Sequence, residues 1–402
     1  MDPVSPLPAI ACLLLAVATA FLLMKKFGAP PVQGRFATID GLRGYLAFFV
    51  FLHHSSIWYF YLHTGWWKGP PSNLYTHFGQ SSVLVFFMIT GFLFFSKLID
   101  GRTKSIDWGK LFVSRFLRLV PLYLFLMLLL FTVVAFLSNG TLNEPIPNLL
   151  NEVMQWLSFT ILGAPNLNGI PRNLIIVAGV TWSLPYEWLF YCSLPLLALS
   201  VRVIPPFRYI AFSIVSVTGV IIFNPKFHYL EQMSAPLLSF SGGIAAAFAV
   251  RSVTFCRFAA HWTSSIVLLG CIVLTIAVYP YIPSIGRVPL FLLSVAFILI
   301  AGGNTLFGIL VHPVSRTLGE MAYSIYLLHG ITLFVFFNFV LGIPASRVLT
   351  PLAHWLLIAG TTPVLITACF FTFRIIESPA MHSTSAFTDW LRARLTLRSN
   401  SV

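Results

Sequence analysis

The chain has 402 residues, of which 58% are hydrophobic and only 9% charged, and its mean hydropathy is +0.88. A water-soluble fold cannot hide that much apolar surface, so the composition describes an integral membrane protein and excludes a soluble enzyme. The formal charge of +13 would suit nucleic acid, but no polar stretch is long enough to fold a soluble basic domain, so the charge is read against membrane topology.

A span needs about 20 apolar residues. On that criterion the sequence predicts helices at 7–24, 41–62, 80–98, 117–137, 182–200, 208–223, 234–250, 262–280, 286–303, 318–341 and 352–374. The expected fold is all-α, a polytopic transmembrane helical bundle of about eleven spans. The first segment, "LPAIACLLLAVATAFLLMKK", carries its basic residues after the apolar run and is read as a retained helix, not a cleaved signal. With the N-terminus outside and every segment spanning, about 19 of the 24 basic residues fall on the inner side. These include Lys25, Lys26, Arg35, Lys97, Lys110, Arg208 and the tail from Arg374 to Arg398, whereas Lys68, Arg172, Lys226, Arg287 and Arg347 are left outside. The C-terminus is then cytoplasmic, and nucleic acid drops out as a partner. The long outer connection holds an amphipathic stretch, "NLLNEVMQWLSFTIL", suited to the interface or to capping a cavity. Five cysteines without CxxC spacing read as apolar packing residues, and no metal is expected.

Ionisable side chains inside a span are costly and usually face a protein-lined cavity. In "DGLRGYLAFFVFLHH" the eleven steps from Arg43 to His54 turn the helix about 20° past three full turns and climb about 16 Å, so the two residues share one face. A permanent cation at the inner edge is thus aligned with an imidazole near mid-membrane, either as a catalytic pair or with His54 merely bonding between helices. His53 points about 80° away, toward a neighbouring helix. In "VSRFLRLVPLY", Arg115 and Arg118 lie three apart on one face and suit a diphosphate or phosphorylated nucleotide, although a topology anchor would need only their charge. No Walker or Rossmann fingerprint is present. "TWSLPYEWLFY" places Glu187 among Trp182, Tyr186, Trp188 and Tyr191, where a carboxylate needs a partner and could assist proton transfer or bind an acceptor hydroxyl. Tyr326 and His329 share a face in "YSIYLLHG", and "FRIIESPA" adds Arg374 and Glu377.

Taken in order, "DGLRGYLAFFVFLHH", "VFFMITGFLF", "SRFLRLVPLY", "TWSLPYEWLFY", "YSIYLLH" and "FRIIESP" make the chain resemble the acyltransferase 3 family of membrane-bound O-acyltransferases, from about Ile39 to Pro379. The resemblance implies a ten-span core preceded here by one N-terminal helix. Residues 1–34 would form that additional helix and a linker, 35–380 the acyltransferase 3-like membrane domain, and 381–402 a basic cytoplasmic tail, without the esterase-like domain fused to some relatives. It implies an enzyme that moves an acyl group, usually acetyl, from cytoplasmic acetyl-CoA or another acyl-CoA to a hydroxyl of a glycan, glycolipid or small natural product. The expected location is a bacterial inner membrane, with the lipid bilayer, the acyl-CoA and the acceptor as partners and no metal cofactor.

Carried over, the resemblance makes Arg43 and His54 the essential pair, Arg115 and Arg118 the site for the phosphates of coenzyme A, and Glu187 a further catalytic candidate. Tyr326, His329 and Trp182 are the substrate-binding candidates. Two departures stand out: Leu84 replaces a common aspartate and Ser82 a common glycine, while a usual glutamate doublet is reduced to Glu187 followed by Trp188. The rival reading is a secondary transporter or flippase for a polar or lipid-linked substrate, which also needs polar residues at mid-membrane.

Overall fold

The structure, a computed structural model, describes residues 2–30, 36–228, 230–278 and 287–399. Arg35, residues 279–280 and 286 of the expected helices, and the boundary between residues 34 and 35 lie outside the described residues. Among the described residues all regular structure is helical, with no β-strand. The chain order begins with α1 (Pro6–Phe27), α2 (Ala37–Thr64), α3 (Asn73–Asp100), α4 (Trp108–Leu137), α5 (Ile146–Leu157), the single turn α6 (Asn173–Ile176), α7 (Leu184–Ser200) and α8 (Phe207–Phe223). It continues through α9 (Leu230–Ala249), α10 (Val253–Ala260), α11 (Trp262–Val278), α12 (Arg287–Ala301) and α13 (Pro313–Glu320). The last are α14 (Ala322–Val335), the short α15 (Ile343–Ser346), α16 (Pro351–Thr372), α17 (Ser378–His382) and α18 (Thr384–Ser399).

Each of the predicted apolar segments coincides with a helix. By length and composition five regions qualify alone as membrane spans: α1, α3, α4, Ala322–Val340 and Pro351–His382. A sixth arises if α9 and α10, bent by 109° at their junction, count as one. The difference from eleven lies in short or polar helices: α7, α8, α11 and α12 have 17, 17, 17 and 15 residues, and α2 carries its charges and histidines within the span.

Local chemistry sets the ends. Ser5, Ser72, Asp107 and Thr350 each accept a backbone N–H of the helix that follows, and Gly65 closes α2 with φ 75°. The core is α2, packed between α3, α13 and α14, with Phe48, Phe51 and Leu52 fully buried. α1 joins through a stripe of small residues, Ala9, Cys12, Ala16 and Ala20, against α16, while Leu7, Leu14 and Leu22 face outward. Large exposed aliphatics of this kind are what a helix shows to lipid. α5 behaves likewise: Ile146, Leu150 and Met154 form an exposed face, and only Trp156 is tucked in. The basic tail is not loose chain in its described part, for α18 packs back on α4 through the Arg392–Asp107 ion pair at 2.6 Å.

Candidate active site

Arg115 and Arg118 leave α4 on the same side, two turns after its Asp107 cap, and Arg43 comes from the first turns of α2. The three guanidiniums line one cavity of about 230 Å³. Glu187 from α7 and Tyr323 and Tyr326 from α14 complete its polar wall, with Phe86, Phe87 and Phe94 supplying an apolar one. Arg115 lies over the Phe94 ring at 5.0 Å and donates to Ser114 Oγ at 3.2 Å; Arg118 donates to Met381 Sδ at 3.3 Å. Among the described residues, none of the three has a carboxylate oxygen at ion-pair distance. A half-buried site with three cations and one carboxylate on its wall is built to receive an anion.

Glu187 therefore stands opposite the arginines and not merely in an aromatic belt. The Tyr191 hydroxyl, one turn on, donates to Glu187 Oε1 and also faces Arg115, tying carboxylate to guanidinium through a phenol. Trp182 is not on the cavity wall; it packs between Phe87 and Tyr186.

His54 lies on the same helix as Arg43 but is not on the wall of the arginine cavity. Its ring is half-buried, runs nearly parallel to Trp67 at 6.3 Å, and is bonded through Nδ1 to His329 Nε2 at 3.0 Å. His53 turns away as its helical position predicts and meets the Tyr75 carbonyl of α3 at 2.7 Å. Tyr326 lies between that cavity and His329: it lines the cavity, its ring is 6.3 Å from that of His329, and its hydroxyl is held by Ser183 Oγ at 2.9 Å and Val180 O at 3.0 Å. The structure thus brings Arg43, Arg115, Arg118, Glu187 and Tyr326 together, and His54 with His329 beside them.

The last span adds a group whose sequence signal was weak. At the end of α16 the chain makes a π-helical turn, Phe373–Glu377, which parts its two charges. Arg374 turns out to the Phe27 carbonyl at 2.8 Å, while Glu377 is buried, accepts from Ser324 Oγ and has no hydrogen-bond partner for Oε2 among the described residues. Arg118 and Arg43 are the cations that act on it, so Glu377 supports the arginine wall from behind. Asp40, one turn before Arg43, also acts on Arg43 and Arg118, and its place in the helix start was the only sequence signal for it.

No curated protein and no solved structure matches this chain. Residues 36–374, most of its length, match the acyltransferase domain of the acyltransferase 3 family. From the arginine and histidine segments of α2 to the last span, the chain belongs to the acyltransferase 3 family.

Proposed function

We propose that this membrane acyltransferase takes its acyl group from acyl-CoA, in the usual case acetyl-CoA, and passes it to a hydroxyl of a glycan, glycolipid or small natural product. The observation that carries the reading is the cavity in which Arg43, Arg115 and Arg118 meet with no direct ion pair to a carboxylate among the described residues. Phosphate oxygens of the donor would take fork-shaped contacts from Arg115 and Arg118, with the thioester arm directed past Tyr326 toward His54. A neutral His54 removes the acceptor proton as its oxygen attacks the thioester carbonyl. The C–O bond forms, the C–S bond breaks, and the departing thiolate takes up the proton. In this reading the arginine end of α4 faces the cytosol, in keeping with the basic excess there.

The test is thiol release from acetyl-CoA by the purified full-length protein, with glycerol as the hydroxyl acceptor and His54→Ala as control. Release should fall by about 10²- to 10⁴-fold in the variant, the range of general-base catalysis; release undiminished in folded His54→Ala removes the base. Arg115→Ala with Arg118→Ala should weaken coenzyme A binding measured by calorimetry, and an unchanged affinity removes the phosphate site.

A further inference from the structure

We propose that His329 is a positioning residue for the reaction: it accepts the Nδ1–H of His54 and so fixes the tautomer that leaves His54 Nε2 bare as the base. The inference rests on the reading of His54 given above and assigns the partner that reading lacks. Its ground is the polarity of the hydrogen bonds. His54 Nδ1 faces the Val50 carbonyl at 3.1 Å, and His329 Nδ1 faces the Ile325 carbonyl at 2.9 Å. A carbonyl oxygen only accepts, so in the neutral rings each Nδ1 carries the proton and each Nε2 has the lone pair, and the Ala178 carbonyl is a further acceptor acting on the His54 ring. The His329 Nε2 to His54 Nδ1 contact, at 3.0 Å, then has one possible direction, from His54 to His329, with the His54 proton shared between the Val50 carbonyl and the second imidazole.

The surroundings hold this arrangement in place. His329 is fully buried on α14, one turn after the carbonyl that orients it. Gly330 beside it lets α14 pack directly on the backbone of Val177 and Ala178, where a Cβ would overlap Val177. His54 is confined between its neighbour His53, at 4.9 Å between rings, and the Trp67 face. When His54 takes the acceptor proton on Nε2, the cation that forms points its other N–H at a neutral nitrogen acceptor. That is the office an acceptor performs for a catalytic imidazole: it fixes the ring and tautomer and stabilises the charged form.

The variants His329→Gln and His329→Leu separate this role from packing. Gln places an oxygen acceptor near the position of the lost Nε2, whereas Leu fills space without one. In the acetyl-CoA thiol-release assay with glycerol, turnover of His329→Gln should stay within about tenfold of the parent, while His329→Leu falls roughly 10²-fold with its KM for acetyl-CoA unchanged. Equal losses in the two variants, full turnover in His329→Leu, or a rise in KM with kcat intact would overturn the assignment. Should His329→Leu not fold, ¹⁵N NMR of the histidine-labelled parent decides: a His54 with its proton on Nδ1 supports the inference, and a proton on Nε2 refutes it. If His54→Ala is inactive while His329→Leu is not, this inference fails and the base stands; if His54→Ala is fully active, the base itself fails.

Discussion

The His53 ring is placed by residues that have no chemistry of their own. Gly79 on α3 sits against the His53 ring, and a Cβ there would overlap ring atoms that the Tyr75 carbonyl holds fixed. Gly79→Ala should therefore destabilise the fold by about 1–3 kcal/mol, as overpacking of a rigid neighbour does. Reading the thermal midpoint of Gly79→Ala against Gly69→Ala, where a Cβ meets open space, checks this. What the sequence conveyed at this scale was orientation within one helix: His53 leaves α2 toward a neighbour, as its turn about the axis requires. What it did not convey was the partner of His54, because His329 is 275 residues away and the pairing depends on how α14 crosses α2. Tyr191 was within reach, since a donor four residues after Glu187 lies on the same face.

Helical periodicity served well wherever the helix was regular. It located every apolar segment and put Arg115 beside Arg118 on the cavity wall. It failed at Phe373–Glu377, where at 100° per residue Arg374 and Glu377 would lie about 60° apart on one face. The π-helical turn advances less per residue and sends one outward to α1 and the other into the core. Charged ends matter at this scale too. Burial alone would raise the Asp107 carboxyl, but the Lys110 backbone N–H and the Arg392 guanidinium outweigh it and hold it below the usual carboxylate range. With the folded value below the unfolded one, the stabilisation is full above the unfolded pKa of about 3.9 and is lost as pH falls through the folded value. Both side chains are well exposed, so α18 should loosen from α4 only modestly in acid. Hydrogen exchange across α18 should rise below that pH, and Asp107→Asn should show the same loosening at neutral pH.

Across the whole molecule, composition was the most legible level: an apolar chain folds here as helices with aliphatic side chains on the outside and polar ones gathered within. Sidedness rests on the charge distribution alone, which gives a direct expectation. A single cysteine at Lys68 should react with an impermeant thiol reagent added to intact cells, and one at Lys110 should not; the opposite pattern inverts the orientation. The latching of Tyr326 was not legible, because it is made by a hydroxyl meeting Ser183 and Val180 from a distant part of the chain. If a thioester is held among the arginines as proposed, the latched Tyr326 ring lies between it and His329. Economy of donor is the consequence: wasteful hydrolysis should be slow when no acceptor is present. Tyr326→Ala, removing that part of the cavity wall, should spend acetyl-CoA faster than the parent in acceptor-free buffer, and equal rates would show that the ring guards nothing.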